Sequence, residues 1–337
     1  MRWQLVAPFP WFGGKSRAAS LIWPRFGAVR NYVEPFAGSL AVLLSRPLPF
    51  EGTETVNDLD GFVANFWRAL QADPDGVAAA ADWPVNENDL HARHAWLIGQ
   101  RASLTARLEG DPSFFDVRIA GWWVWGLCCW IGSGWCTATG PWGVSDDGQL
   151  VHLGDAGRGV NRKLVHLGDA GRGVNRQRVH LGNAGRDGLA GWMANLAARL
   201  RFVRVCCGDW SRVCGPTPTV KLGITAVLLD PPYGDDAERT GDVYAEDSGS
   251  VAGAVRAWAL AHGNDPDLRI ALCGYAGEHA LPGWSQATWK AHGGYGSQGN
   301  GNGRANAVRE TIWFSPHCVT AVQGDLWASP EREAVFP

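Results

Sequence analysis

The sequence contains no Cys-x-x-Cys pair, although it has eight cysteines. Two adjacent pairs, Cys128-Cys129 and Cys206-Cys207, are each followed by a lone cysteine, Cys136 and Cys214. Met1 to Pro10 lacks a long apolar region, so no export signal is expected. The cysteines then read as reduced, buried thiols of a cytoplasmic protein rather than a disulfide framework, with a zinc site as the minor alternative. An aliphatic run of membrane length is lacking too. The nearest stretch, Ile119 to Cys136, is uncharged, but it holds four glycines and five tryptophans and is flanked by Asp116 and Arg118. It reads as a buried helix followed by a glycine-rich turn at 132–134. Charge of one sign is also scarce. A formal net charge of −3 excludes a globally basic protein, so any nucleic-acid face must be a local patch.

What is present is length and apolar content. With 337 residues, 46% of them hydrophobic, the chain can bury a large core and exceeds the usual single-domain size. One large domain with an insertion, or two domains, is expected. The 19 tryptophans are core fillers, stacking platforms, or both.

The stretch that organises the chain is Val227-Leu228-Leu229-Asp230-Pro231-Pro232-Tyr233-Gly234. An apolar run of strand type stops at an acid, two prolines and an aromatic. Proline gives the ladder no donor, so Pro231 and Pro232 must lie beyond the sheet edge in a stiff turn. Open α/β sheets place ligands at the carboxyl ends of their strands. Asp230 and the Pro231 carbonyl can accept from an exocyclic NH2, and Tyr233 can stack on the ring that bears it. The plain alternative is a strand end followed by a tight turn.

Three segments near the N-terminus bear on that choice. Pro10-Trp11-Phe12-Gly13-Gly14-Lys15 precedes a helical stretch, Ser16 to Trp23. Gly13 and Gly14 let the backbone approach a ligand, Lys15 suits a carboxylate, and Trp11 offers a flat face. Asn31 to Leu44 reads as strand, turn and helix, with Glu34, Pro35, Phe36 and Gly38 in the turn region; Leu40 stands where a second glycine often sits. Thr55 to Asp60 is a short strand ending in acids, and Phe62 to Gln71 an amphipathic helix. Asp58 then suits ribose hydroxyls, or one of Asn57, Asp58 and Asp60 simply caps the helix.

Taken in order, Trp-x-Gly-Gly-Lys, Glu-Pro-Phe-x-Gly, Asn-Asp-x-Asp and Asp-Pro-Pro-Tyr resemble the Dam-type DNA adenine N6-methyltransferases. The similarity covers residues near 8 to 72 and 200 to 240, and extends weakly through Arg309 to Trp313. It implies S-adenosyl-L-methionine as donor, with Trp11, Lys15, Asp58 and Asp230 in the donor cleft. Glu34 would approach the methionine part and Asp58 the ribose. It also implies an α/β fold: a Rossmann-like methyltransferase sheet with helices on both faces, formed by residues 1–73 and 200–337. Residues 74–199 would be an inserted, mainly helical target-recognition domain. In the same frame, Phe202 to Cys207 is a strand running into Gly208-Asp209-Trp210, where Asp209 meets the donor's adenine amine and Trp210 its face, or Trp210 is core.

The insertion carries a tandem repeat. Val151 to Leu164 is followed by a near copy, Val165 to Arg178, and a truncated third copy starts at Val179. Residues 151–186 hold seven basic and two acidic residues, the electrostatic footprint of a phosphate-binding surface. Arg158, Arg172 and Arg186, with Asn161 and Asn175, are candidate DNA contacts, since Arg can fork onto guanine and Asn onto adenine. The competing reading is a recent duplication in a tolerant surface loop. Gly188 to Arg201 reads as a helix returning to the core. Two segments without apolar periodicity follow, Asp235 to Gly249 and Gly293 to Arg304; the first offers Arg239 and Tyr244 as substrate contacts. Strands are expected at Leu268 to Gly274 and Ala307 to Ser315.

The expected partner is double-stranded DNA, with no membrane and no metal required. The adenine must be flipped out of the duplex to reach the pocket. Other amino targets, cytosine N4 or RNA adenine, and a non-catalytic DNA-binding protein of the same fold stay open as alternatives.

Overall fold

A computed structural model describes residues 5–11, 14–130, 135–136, 142–144, 150–152, 182–232, 249–289 and 310–320. Seven strands form one sheet in the order β5-β2-β1-β6-β7-β9-β8. They are β1 (Asn31–Glu34), β2 (Thr53–Asp58), β5 (Val203–Cys207), β6 (Thr225–Leu229), β7 (Leu268–Tyr275), β8 (Ser285–Thr288) and β9 (Glu310–Phe314). The first five run parallel; β9 is antiparallel to both β7 and β8. Strands β3 (Trp142–Val144) and β4 (Leu150–His152) make a separate antiparallel pair.

Every residue of β1 and β6 is buried. That is why Val227 to Leu229 shows an unbroken apolar run instead of an alternation: a parallel sheet covered on both faces has no solvent side. Ala226 and Leu228 enter the core on one face; Val227 and Leu229 enter the core on the other, with Val255 and Ala259 of α8 (Gly249–His262). The mixed α/β fold with a seven-stranded sheet and flanking helices is consistent with a methyltransferase fold. The strand order reverses between β1 and β6, because the chain runs outward through β2 and β5 and returns on the far side of β1. A crevice is expected at that switch point, outside the carboxyl ends of the strands.

Helix α3 (Gly61–Ala72) is the hub of the first core. The helices α4 (Pro74–Ala81), α5 (Glu87–Gly110), α6 (Val117–Cys129) and α7 (Gly182–Leu200) gather around it, and their buried apolar residues share one cluster with α3 and with Phe9. Tryptophans serve this core: Trp67 and Trp125 are fully buried, and Trp83, Trp122 and Trp125 surround the Arg93 guanidinium at 4.4–4.9 Å from ring centroid to Cζ. The stretch from Ile119 is a buried helix as expected, and no helix among the described residues is long and apolar enough to cross a membrane.

Several boundaries differ from expectation. Helix α1 spans Ala19–Phe26 rather than 16–23, with Pro24 inside it, and the short α2 (Ala41–Leu44) follows the β1 turn. Gly27, at φ 57°, ends the helix in a way that Pro24 does not. Helix α7 starts at Gly182, so the third repeat copy begins a helix rather than a loop. Helix α8 and strands β3 and β8 have no counterpart among the expected elements. The remainder of the repeat, 153–181, lies outside the described residues, as do most of 235–249 and all of 293–304.

Strand β5 is a sheet edge, and α3 protects it. Arg68 Nε donates to the Val205 carbonyl at 3.0 Å, and Gln71 Nε2 to the Val203 carbonyl at 2.9 Å. Arg68 Nη1 also reaches the carbonyls of Leu108 (3.0 Å) and Asp111 (3.3 Å), at the end of α5. One buried guanidinium thus blunts a strand edge and complements a helix C-terminus. Arg68→Met keeps most of the volume but strands these carbonyls. It is expected to cost about 3 kcal/mol, read as a lower denaturation midpoint with unchanged m-value. An unaltered midpoint would mean water replaces the guanidinium at no cost.

Candidate active site

The site begins where β6 stops. Asp230 follows Leu229 at the carboxyl end of the central strand and is 22% exposed, while Pro231 behind it is buried. Lys15 is 5% exposed and its Nζ sits 3.0 Å from Asp230 Oδ2 and 3.9 Å from Glu310 Oε2. The sequence predicts a carboxylate opposite Lys15; here the chain itself supplies two. Glu310 was not legible as a site residue, because a strand-terminal acid carries no special spacing. Its position follows from topology: β9 is antiparallel, so its first residue reaches the edge where the parallel strands end.

Beside Asp230 across the switch point, Glu34 ends β1. It is buried, and its Oε2 accepts from Tyr32 Oη at 2.9 Å. Burial pushes the Glu34 carboxyl up to about 8; the Tyr32 hydroxyl opposes the shift and the nearby Asp230 charge adds to it. At the end of β2, Asp58 Oδ2 accepts from the Gly38 N–H and Oδ1 from the Asp60 N–H, both at 2.9 Å. Burial pushes this half-buried carboxyl up to about 7, against those two donors. The capping alternative is met by its neighbour: Asp60 caps α3 by accepting from the Phe62 N–H. Asp58 therefore faces the β1 turn.

That turn is held on several sides. The Gly38 carbonyl accepts from Trp67 Nε1 at 2.9 Å, and the Ala37 N–H donates to the Asn57 carbonyl at 2.8 Å. Gly38 has φ 45°, and a Cβ there would lie 2.5 Å from Trp11 Nε1, so glycine is required on both counts. Leu40, which stands where a glycine often does, does adopt the left-handed conformation at φ 52°. Its fully buried side chain offsets the backbone strain. Asn57 Nδ2 ties the Pro35 carbonyl (3.2 Å) to the Gly208 carbonyl (2.8 Å), joining the loops after β1 and β5. Its buried Oδ1 has no hydrogen-bond partner among the described residues.

The loop after β5 supplies an aromatic wall. Trp210 stacks with Phe36 at 6.3 Å between centroids and 24° between planes, and Trp258 of α8 meets its edge. Asp209 Oδ1 caps the short 3-10 turn at Trp210–Val213 by accepting from the Ser211 N–H at 2.9 Å. The edge of the sheet thus gathers Glu34, Asp58, Asp209 and Asp230 with two aromatic faces. Such a donor set fits a cationic nucleoside: two desolvated carboxyls, Glu34 and Asp58, that a positive charge would relieve, further acceptors for hydroxyls and an amine, and a flat apolar surface.

All eight cysteines are free thiols, and burial pushes Cys129, Cys207 and Cys214 up to about 12. Among the described residues no group of three or more His, Cys, Asp or Glu is placed to hold a metal ion. Of the expected site residues, Gly13, Tyr233, Arg239 and Tyr244 lie outside the described set, as do Arg158, Asn161, Arg172 and Asn175; Arg186 is described in its helical backbone alone.

Residues 11–94 match the family model of D12 class N6 adenine-specific DNA methyltransferases. That family consists of enzymes that methylate adenine N6 in DNA. The match agrees with the Dam-type resemblance and takes in Lys15, the Glu34 to Gly38 turn and Asp58, though not the residue 230 turn. Methyltransferases of this kind generally use S-adenosylmethionine, and DNA is the substrate the family implies. No curated protein matches the chain.

Proposed function

We propose that the chain is a site-specific methyltransferase that moves a methyl group from S-adenosyl-L-methionine to N6 of an adenine flipped out of double-stranded DNA, in the cytoplasm of a bacterial or phage-infected cell. The observation that carries this reading is the Lys15–Asp230 ion pair, which joins the first motif to the last across the switch point of the sheet. When bound, the donor supplies a methyl on positively charged sulfur, and sulfur keeps the bonding pair. Glu34 faces its ammonium, Asp58 its ribose hydroxyls, and Phe36, Asp209 and Trp210 its adenine. Asp230 and the Pro231 carbonyl hold the N6 amine of the target base, with Tyr233 stacked on the ring. Positioning and electrostatics supply most of the acceleration, and no covalent bond to the protein is needed. The test is direct sequencing of modified bases in DNA from cells expressing the chain. N6-methyladenine in one sequence context is expected; 4-methylcytosine, or no modified base, would overturn the reading.

Residues 74–199 serve as the target-recognition insertion, with Arg158, Arg172, Arg186, Asn161 and Asn175 of the repeat against DNA, and Arg239 and Tyr244 near the flipped nucleotide. Each phosphate contact contributes about 0.9 to the slope of log K against log salt. Replacing Arg158, Arg172 and Arg186 together by Gln should weaken DNA binding about 100-fold at physiological salt and flatten that slope by about 2.7. Unchanged binding would assign the repeat to decoration.

A further inference from the structure

Glu310 stands close to the reacting end of the cleft and has no part in the mechanism so far. It is buried, it opens β9, and it pairs with Tyr275, the last residue of β7. The Trp289 N–H at the end of β8 donates to the Glu310 carbonyl at 3.1 Å, and the Trp289 ring lies 5.9 Å from Lys15 Nζ. Lys15 is therefore bracketed by Asp230 at 3.0 Å, Glu310 at 3.9 Å and an indole face. Three carboxyl groups and one ammonium share this neighbourhood. They converge on the Cys273 thiol beneath them, which burial pushes up; Asp230, Glu310 and Glu34 add to the shift and Lys15 opposes it.

We infer that Glu310 is a positioning residue that anchors the Lys15 ammonium from behind, so that Lys15 fixes the Asp230 carboxylate without cancelling its charge at the target amine. Three physical arguments lead there. A lysine on a four-carbon stem holds a carboxylate in one orientation only if the ammonium is itself held, and 3.9 Å is an ion-pair distance that leaves the hydrogen bond to Asp230 intact. An ammonium paired with Asp230 alone would leave that pair neutral. With Glu310, two carboxylates flank the one ammonium, so Asp230 shares its counter-ion and retains negative charge beside the reacting nitrogen. That charge matters because N6 gains positive charge as its lone pair forms the new bond to carbon, and it must then shed a proton to Asp230 or water. A preorganised negative charge is most useful where positive charge develops.

The inference rests on Asp230 being the acceptor of the N6 amine, and the test separates the two. The sequence has lysines at 15, 163, 221 and 290 alone, so the ammonium signals of 15N-lysine-labelled protein can be assigned by single substitutions. In the protein without ligands, the Lys15 signal should be present in wild type and lost or strongly shifted in both Glu310→Gln and Asp230→Asn. In turnover, Glu310→Gln should lower kcat roughly 10- to 100-fold, with KM for DNA and the donor dissociation constant within about twofold. Glu310→Asp should recover most of kcat, because the charge returns. An unmoved Lys15 signal, or wild-type kcat in Glu310→Gln, overturns the anchoring role, as does a loss confined to KM and melting temperature. If Asp230→Asn itself turns over normally, the reading of the site falls, whatever Glu310 does.

Discussion

Asp230→Ala is expected to lower kcat by at least about 10³-fold while far-UV circular dichroism stays that of the wild type. Two losses combine in this variant. The target amine loses the acceptor that orients its lone pair toward the methyl group, and the developing positive charge loses its nearest counter-charge. The fold should tolerate the change, since Asp230 lies past the last residue of β6, is partly exposed, and makes no ladder hydrogen bond in the sheet pairing. The structural penalty falls on Lys15, which keeps Glu310 at 3.9 Å and so is not left without a negative neighbour. About 1–2 kcal/mol of stability is the expected cost, short of unfolding. Asp230→Asn sharpens the result. It preserves volume but presents an NH2 that can turn toward the target amine as donor against donor, so it should be nearly as inactive as alanine. Single-turnover assays with preformed donor complex check the rate, and calorimetric donor titration checks that binding survives. Wild-type turnover in either variant would remove Asp230 from the chemistry.

The parts of the site that local sequence encodes were legible, and those that topology creates were not. A proline pair after an apolar run can hardly be anything but the end of a buried strand, so Asp230 announced the sheet edge. Gly38 sits in a turn whose φ is positive, a need for glycine that is local, although the Trp11 ring that also excludes a Cβ there is not. Asp58 and Asp60 divide two roles that spacing alone left tied: Asp60 caps α3, and Asp58 turns to the β1 loop. Glu310 and Asn57 are different. Glu310 matters because an antiparallel strand returns beside β7, and Asn57 because β5 lies next to β2; neither adjacency is written within ten residues of either side chain. Strand β8 was missed for a related reason. Ser285 to Thr288 is an exposed edge, so it lacks the apolar alternation by which a half-buried strand is recognised. Helix α8 begins where the 235–249 segment ends, and its small residues (Gly249, Ala252, Gly253, Ala254) weaken any periodic signal.

Donor binding is expected to release a proton from Glu34. In the protein without ligands, burial pushes this carboxyl up to about 8, from an ordinary value of 4.5. The sign follows from the direction: a carboxyl whose value is raised on folding favours its neutral form in the fold. Its contribution to stability is therefore fully present below pH 4.5 and is lost as pH rises through 8. A donor ammonium beside Glu34 reverses the preference, because a cation favours the carboxylate. Between those two pH values binding must expel the proton, so donor affinity should climb with pH by up to about tenfold per unit and level off above 8. The donor's own α-amino group titrates near pH 8, so the raw pH curve is ambiguous. Comparison with Glu34→Gln isolates the protein's share. Titration calorimetry at pH 7 in two buffers of different ionisation enthalpy should show close to one more proton released by wild type than by the variant. At pH 8.5 the variant should bind the donor about 10- to 100-fold more weakly, the scale of a lost charge-assisted hydrogen bond. Tyr32 should not titrate alongside, because burial and the adjacent Glu34 charge hold its hydroxyl well above the usual phenol range, where it goes on donating. Equal proton release by wild type and Glu34→Gln would place the donor's cationic end away from β1, and with it the orientation of the whole nucleoside in the cleft.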